Sequence, residues 1–159
     1  MSTPSRFVVF TLDEQRYALP LSSVNRVVAA VYVTPLPKAP DIVRGVINVQ
    51  GQVIPVVDIR TRFRLPEREM ALSDQIIIAH TAQRPVALIA DATEGVLEFS
   101  DERIVPPEAV LPEMEYVGGV VRLDEDLLLI HDLDRFLSLQ ENKKLDAAMS
   151  KIVAKERRK

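Results

Sequence analysis

The sequence predicts an all-β protein with short helices, built as two small β-barrels of repeated pattern followed by a C-terminal helix. Three observations carry this. The chain is written in short β-rich phrases separated by turn signals, the order of those phrases occurs twice, and only the last twenty residues show helical spacing.

The β phrases are Phe7–Leu12, Tyr17–Leu21, Val27–Val33, Gln52–Val57, Gln75–Ala79 and Leu127–Ile130. Each is short and rich in β-branched residues, which suit a pleated, half-buried surface. Asp13-Glu14-Gln15, Asn48 to Gly51 and Asp124-Glu125-Asp126 supply turns. Prolines gather at Pro35, Pro37 and Pro40 and again at Pro106, Pro107 and Pro112, marking extended connections where a ladder cannot run. Pro55, inside Val53–Val57, restricts that strand to an edge or a bulge, where a partner can dock.

Shifting the chain by 69 places sets Phe7–Phe10 over Ile76–Ala79, Ala18-Leu19 over Ala87-Leu88 and Val27-Val28 over Val96-Leu97. A shift of 74 then sets Gly45-Val46-Ile47 over Gly119-Val120-Val121 and Val56–Ile59 over Ile130–Leu133. Both halves read hairpin, Pro-rich connection, Gly-hydrophobic strand, turn, strand, aspartate, short helix. One domain over 5–138 is expected, with about 15–70 plus the N-terminal strand forming one barrel and about 75–138 the other. A groove at their junction would give apolar residues beyond either barrel's needs a place to go.

Residues 139–159 form a basic tail. Leu145, Ala148, Met149 and Ile152 recur at helical spacing, and Ser138 with Glu141 has the spacing of a capping box, so a helix is expected over 139–156. The tail carries +4 and the rest of the chain −7, within a net charge of −3. An acidic body without tryptophan lacks the basic groove and stacking platforms of a nucleic-acid binder.

Catalytic chemistry is not spelled out. With no cysteine, thiolate nucleophiles and sulfur-ligated metal sites are excluded, and two histidines cannot build a histidine-rich one. Phosphate-cradling glycine loops, a serine nucleophile elbow and paired zinc histidines are missing, and no cofactor is expected. His80 and His131 read as satisfied structural histidines, and Asp58 and Asp132 as helix N-caps. The longest uncharged stretch, Gly45–Val57, is far short of the ~20 residues a membrane helix needs, and the start lacks a signal-peptide core, so a cytoplasmic protein is expected.

Phe7-x-x-Phe10-x-Leu12, Tyr17-x-Leu19-x-Leu21-x-x-Val24-x-x-Val27 and above all the block Arg44–Phe63 resemble the CheW family of chemotaxis coupling proteins, over about residues 5–140. The resemblance implies two five-stranded barrels around a shared core. It also implies a non-enzymatic adaptor that links methyl-accepting chemoreceptors to the histidine kinase CheA and modulates its autophosphorylation. The adaptor would be monomeric alone, cytoplasmic, recruited to membrane-bound receptor arrays, and able to form rings with its partners. Carried onto this chain, a receptor-binding groove would use Leu21, Val24, Val27, Val46, Ile47 and Val53. Kinase binding or partner choice would use Arg26, Arg44, Gly45, Asn48, Gln50, Gly51, Asp58 and Arg60. Val24, Val27, Val46, Ile47, Val53 and Ile54 would equally serve as ordinary core. Two positions depart from the family pattern: Arg26 stands where an acidic residue is common, and Gln50 where arginine is common.

Two alternatives stand beside this reading. One is a CheW-like adaptor of a non-flagellar pathway such as pilus motility. The other is a small-ligand-binding or enzymatic barrel using Asp58, Arg60 and Asp132.

Overall fold

The computed structural model describes residues 4–107, 116–124 and 126–157, the side chains of Leu139 and 152–157 excepted. Pro112, Glu125 and the Ile152 side chain, all used in the sequence reading, lie outside these residues. Among the described residues, eleven strands run β1 (Ser5–Leu12), β2 (Gln15–Pro20), β3 (Val24–Ala29), β4 (Val43–Val49), β5 (Gln52–Val57), β6 (Gln75–His80), β7 (Pro85–Ala90), β8 (Ala92–Phe99), β9 (Ile104–Val105), β10 (Val117–Arg122) and β11 (Leu127–His131). A one-turn helix α1 (Ile59–Arg62) follows β5, a 3-10 turn (Leu133–Arg135) follows β11, and α2 (Leu139–Arg157) closes the chain.

The strands form a six-stranded sheet, β8-β1-β2-β11-β10-β9, and a five-stranded sheet, β3-β6-β7-β5-β4. Two β-barrels result. They are not the two halves of the sequence, which corrects the expected division at about residue 70: β1 and β2 lie in the sheet of the second half, while β6 and β7 lie in that of the first. The exchange follows the repeat closely. Val8 faces Val96 as Ile77 faces Val27, and Ala18 pairs in parallel with Ile130 as Ala87 does with Val56. The sixth strand is the two-residue β9, whose counterpart is the single bridge from Thr34 to Val46.

Even the irregularities repeat. The ladder skips Asn25 in β3 and Glu94 in β8, and it skips Arg44 in β4 and Gly118 in β10. Bulges at equivalent positions mark designed bends rather than noise. Asp58 N–H donates to Ile42 O over 2.7 Å and Asp132 N–H to Tyr116 O over 2.8 Å, so both caps enter their turns in the same way. The Asp58 carboxylate then accepts from Thr61 N–H, and that of Asp132 from Asp134 N–H.

β3 ends at Ala29 rather than continuing to Val33, because its ladder partner β6 begins at Gln75, opposite Ala29. β5 is interior in sheet order, yet its pairing with β7 begins only at Val56, so Pro55 sits where that flank is still open. Val46, opposite Pro55, exchanges its backbone bonds with Thr34 instead, and the missing proline N–H leaves no gap.

Three apolar clusters hold the body together. Phe7, Val9, Ala18, Phe99, Val121, Leu128 and Ile130 fill one barrel, and Ile47, Ile54, Val56, Ile76, Ile78 and Ala87 fill the other. A larger cluster between them takes residues from both sheets, including Leu19, Val46, Val57, Ile77, Leu88 and Leu129. Leu145 and Ala148 of α2 join this shared core, so one face of the helix is docked on the body. Its capping box is formed: Ser138 N–H donates to Glu141 Oε1 over 2.8 Å and Glu141 N–H to Ser138 Oγ over 3.1 Å. Glu141 also meets the Arg62 guanidinium, and Asp146 meets Arg84.

Candidate partner-binding surface

β3 is an edge strand, and its free flank runs beside the β4–β5 turn. The two-residue turn Gln50-Gly51 has φ of 51° and 86°, left-handed at both positions as a tight hairpin requires, and Asn48 Oδ1 accepts from Gly51 N–H over 2.9 Å. Here the two family departures meet: Arg26 Nη2 donates to Gln50 Oε1 over 3.2 Å, both side chains exposed. One residue back, at the bulge, Asn25 Oδ1 bonds His80 Nδ1 over 2.9 Å. His80 is therefore a surface histidine with a partner.

The residues assigned to a receptor groove divide. Val27 is 38% exposed, while Leu21, Val24 and Val53 are half-buried. Val46 and Ile47 are corrections to that set. Ile47, 2% exposed, points into the barrel interior, and Val46 points into the shared core. Both faces of β4 are covered in this double barrel, so alternation along the strand brings neither residue to the surface. Ile54 is buried with Ile47.

Among the residues assigned to kinase binding, Arg26, Arg44, Asn48, Gln50 and Gly51 are exposed, Asp58 is half-buried as a cap, and Gly45 and Arg60 are buried. A Cβ at Gly45 would sit 2.2 Å from Thr34 O, so the glycine lets the Thr34 bridge close. Arg60 has a tertiary task. Its Nη1 donates to Asp13 over 2.9 Å and its Nη2 to Asp91 over 2.6 Å, and Arg68 joins Asp91 to Asp74. This chain of charges ties α1 to the β1–β2 and β7–β8 turns. Burial opposes charge on Asp91, but the Asp13 N–H and the two guanidinium groups prevail and hold its carboxyl below the usual range. The second half repeats the tie without a cation: Asp134, which aligns with Arg60, accepts from Ala82 N–H, which aligns with Asp13, over 2.8 Å.

Asp58, Arg60 and Asp132 do not converge into a ligand site. The two aspartates cap separate turns, the Arg60 guanidinium is taken up by two carboxylates, and the cavity beside Asp58 and Arg60 measures about 10 Å³, room for about one water. His131 departs from its expected role in one respect. It is buried between Phe63 and Phe136, at ring distances of 5.3 and 4.8 Å, but neither ring nitrogen has a partner among the described residues. Burial pushes its pKa down to about 3.

Sequence reasoning missed a second exposed edge. Val96 and Leu97 on β8 are 51% and 40% exposed, and they align with Val27 and Val28 in the repeat. The shift of 69 places already joined these positions, and extending it from fold to surface would have found the edge. The Asp13–Arg60–Asp91–Arg68–Asp74 network gave no such signal, because its members lie scattered over 62 positions.

Residues 6–141 match the model of the CheW-like domain. The chain is 31% identical over 137 residues to chemotaxis protein CheW of Klebsiella aerogenes, covering 85% of this chain and 82% of that one. It is 29% identical over 146 residues to chemotaxis protein CheW of Treponema pallidum, covering 88% and 86%. Protein FrzA of Myxococcus xanthus is 27% identical over 64% of this chain and 63% of its own. The crystal structure of scaffolding protein TtCheW from Thermoanaerobacter tengcongensis superposes with a TM-score of 0.79 at 31% identity, covering 87% of this chain and 96% of that one. The double barrel, its repeated bulges and these likenesses agree, and the chain belongs to the CheW-like family of non-enzymatic chemotaxis adaptors.

Proposed function

We propose that this adaptor joins the helical tip of a methyl-accepting chemoreceptor to the regulatory domain of a CheA-type histidine kinase and thereby sets the rate of kinase autophosphorylation. The observation that carries the reading is the pair of unlike edges on one body. β3, with Val27, Arg26 and the Gln50-Gly51 turn, lies at the edge of one sheet, and β8, with Val96 and Leu97, at the edge of the other. Two edges that the repeat relates but that carry different side chains would make heterologous contacts, and such contacts close into rings or propagate rather than stopping at a two-fold dimer.

The receptor tip would lie against Leu21, Val24, Val27 and Val53, an apolar strip suited to a helix. Arg26, Gln50, Asn48 and Arg44 would select the kinase by charge. No helix among the described residues is long and apolar enough to cross a membrane, and recruitment to membrane-bound arrays would come through the receptor. Mixing the protein with kinase and receptor fragments, then measuring sedimentation and kinase autophosphorylation together, tests this. Larger complexes with altered phosphorylation are expected. A stable dimer of the protein alone, or a kinase indifferent to it, refutes the reading.

A second reading, an adaptor for another output such as pilus motility, draws on the match to FrzA, a relative whose name does not mention chemotaxis. Deleting the gene and scoring swimming against surface motility separates the two.

A further inference from the structure

The last helix is held to the body by side chains alone. Leu145 and Ala148 are buried in the shared core and Met149 packs against it, Glu141 meets the Arg62 guanidinium, and Asp146 meets Arg84. Among the described residues no backbone hydrogen bond joins α2 to the strands, so the helix can leave with both sheets intact. Its hold weakens along its length. The pair with Arg62 is the more enclosed, Asp146 is 58% exposed, and Lys151 stands against Lys38, whose ammonium lowers the Lys151 pKa. The match to the family domain ends at Glu141, so nearly all of α2 lies beyond it.

The seat of α2 adjoins the strip assigned to the receptor. Val24 pairs with Ala79 and Ala79 with Val86, all three on the face of the five-stranded sheet that meets the shared core. Arg84 stands two residues before Val86, and its carbonyl accepts from Thr81 N–H over 2.9 Å to close the β6–β7 turn, so it falls on that same face. β5 runs parallel to β7 with Val56 beside Ala87, which sets Val53 level with Arg84. Val53 packs against the shared core as well. The arginine that grips Asp146 therefore lies at the same end of the same face as Val24 and Val53.

We propose that α2 is a built-in competitor: it covers the shared core beside Val24 and Val53, and the receptor helix gains that surface by displacing it. The contacts of α2 state what the incoming helix needs. It must offer an apolar pair at the spacing of Leu145 and Ala148, which keeps the core from water, and an acidic side chain beside that pair for Arg84. The Arg84 side chain is only 15% exposed, and a helix without an acid there would leave its charge uncompensated. Binding beside an undisturbed α2 would show no competition. The identity of the displacing helix rests on the adaptor reading, whereas the release of α2 does not.

Two exposed positions shift the balance in opposite directions. Asp146→Arg sets like charges together at Arg84 and should release α2, while Lys151→Glu faces Lys38 with an opposite charge and should hold it. Hydrogen exchange of the full chains reads α2 itself. Amides of 145–151 should exchange about tenfold faster in Asp146→Arg and more slowly in Lys151→Glu, with β2 and β6 unchanged. Asp146→Asn replaces the reversal should the latter disturb the strands. Calorimetry with a receptor hairpin fragment then reads competition: Asp146→Arg should bind about fivefold more tightly than the unaltered chain, and Lys151→Glu more weakly. Unchanged exchange of α2 in both variants, or equal affinity of the three proteins for the fragment, overturns the proposal, and the latter leaves the adaptor reading standing. A fragment that binds none of them counts against the adaptor reading instead, and the synthetic peptide 139–159 becomes the probe. It should bind the Asp146→Arg chain in the vacated seat and the unaltered chain about fivefold more weakly or worse. Equal binding to both, or binding to neither, overturns the proposal.

Discussion

Arg26 and Gln50 lie side by side, the arginine Nη2 donating to the glutamine Oε1 across 3.2 Å between β3 and the β4–β5 turn. The family pattern of an acidic residue at one position and arginine at the other would make this contact an ion pair. In this chain it is a hydrogen bond that leaves the edge with one extra positive charge. The two departures are therefore one change. Arg26→Glu and Gln50→Arg should each alter kinase affinity by about 1–3 kcal/mol, the scale of a charge-assisted contact, while the double variant restores a family-like surface. Within the protein the pair should couple by less than about 1 kcal/mol, because both side chains are exposed. Titration calorimetry on the four proteins checks this, and strictly additive effects on kinase binding would show that the positions act independently.

Val27 and Ile47 separate surface from core. Val27→Asp should leave the melt nearly unchanged and abolish binding of a receptor hairpin fragment. Ile47→Asp should unfold the protein, because an unpaired carboxylate in the barrel interior has no compensation. A cooperative melt for Ile47→Asp, or undisturbed receptor binding by Val27→Asp, would contradict the placement.

Two glycines at equivalent bulges, Gly45 just after the one in β4 and Gly118 on the one in β10, make opposite predictions. Gly45→Ala brings a methyl group onto the Thr34 carbonyl and should cost about 3 kcal/mol in denaturant unfolding. Gly118→Ala should be close to neutral, since its Cβ falls at ordinary contact distance.

Breaking the ion network at Arg60 leaves Asp13 without its guanidinium partner and Asp91 with Arg68 alone. Arg60→Met should cost about 2–3 kcal/mol, less than the full cost of breaking a buried pair, because Asp13 and Asp91 keep partial contact with water. Arg60→Lys should recover only part of this, since a single ammonium does not reach two carboxylates with the same geometry. An unchanged midpoint for Arg60→Met would show that the network contributes nothing.

Acid should loosen the fold through His131. Its folded pKa of about 3 lies below the unfolded value of 6.5, so between these values the unfolded chain holds the extra proton and stability falls as pH falls. The slope in that window should approach 1.4 kcal/mol per pH unit. Asp91, with a depressed carboxyl, adds loss in the same direction as pH falls through its folded pKa. His131→Leu should flatten the slope above the carboxylate range and raise the melting temperature at pH 5. A slope unaltered by that change would assign the acid sensitivity elsewhere.

Much of the fold could be read from residues because strand patterning is local and the repeat is colinear. Asp58 and Asp132, the turn at Asn48–Gly51 and the capping box at Ser138 and Glu141 stand where their spacing placed them. The exchange of hairpins was invisible, since Ala18 pairing with Ile130 rather than with Val56 is a choice between two equally apolar neighbours. The surface was legible in part. Val27 and Val46 share a residue type, and only the covering of both faces of β4 separates them.

The hairpin exchange makes this chain a covalently closed version of a swapped dimer. Each half contributes two strands to a sheet it does not otherwise own, so neither half can complete a hydrogen-bonded sheet by itself, and the halves rise and fall together in stability. Joining the two copies also freed them to diverge. A true homodimer must carry the same side chain at both related sites, whereas this chain keeps Arg44 at one bulge and Gly118 at the other, and so presents two different surfaces from a single repeated plan.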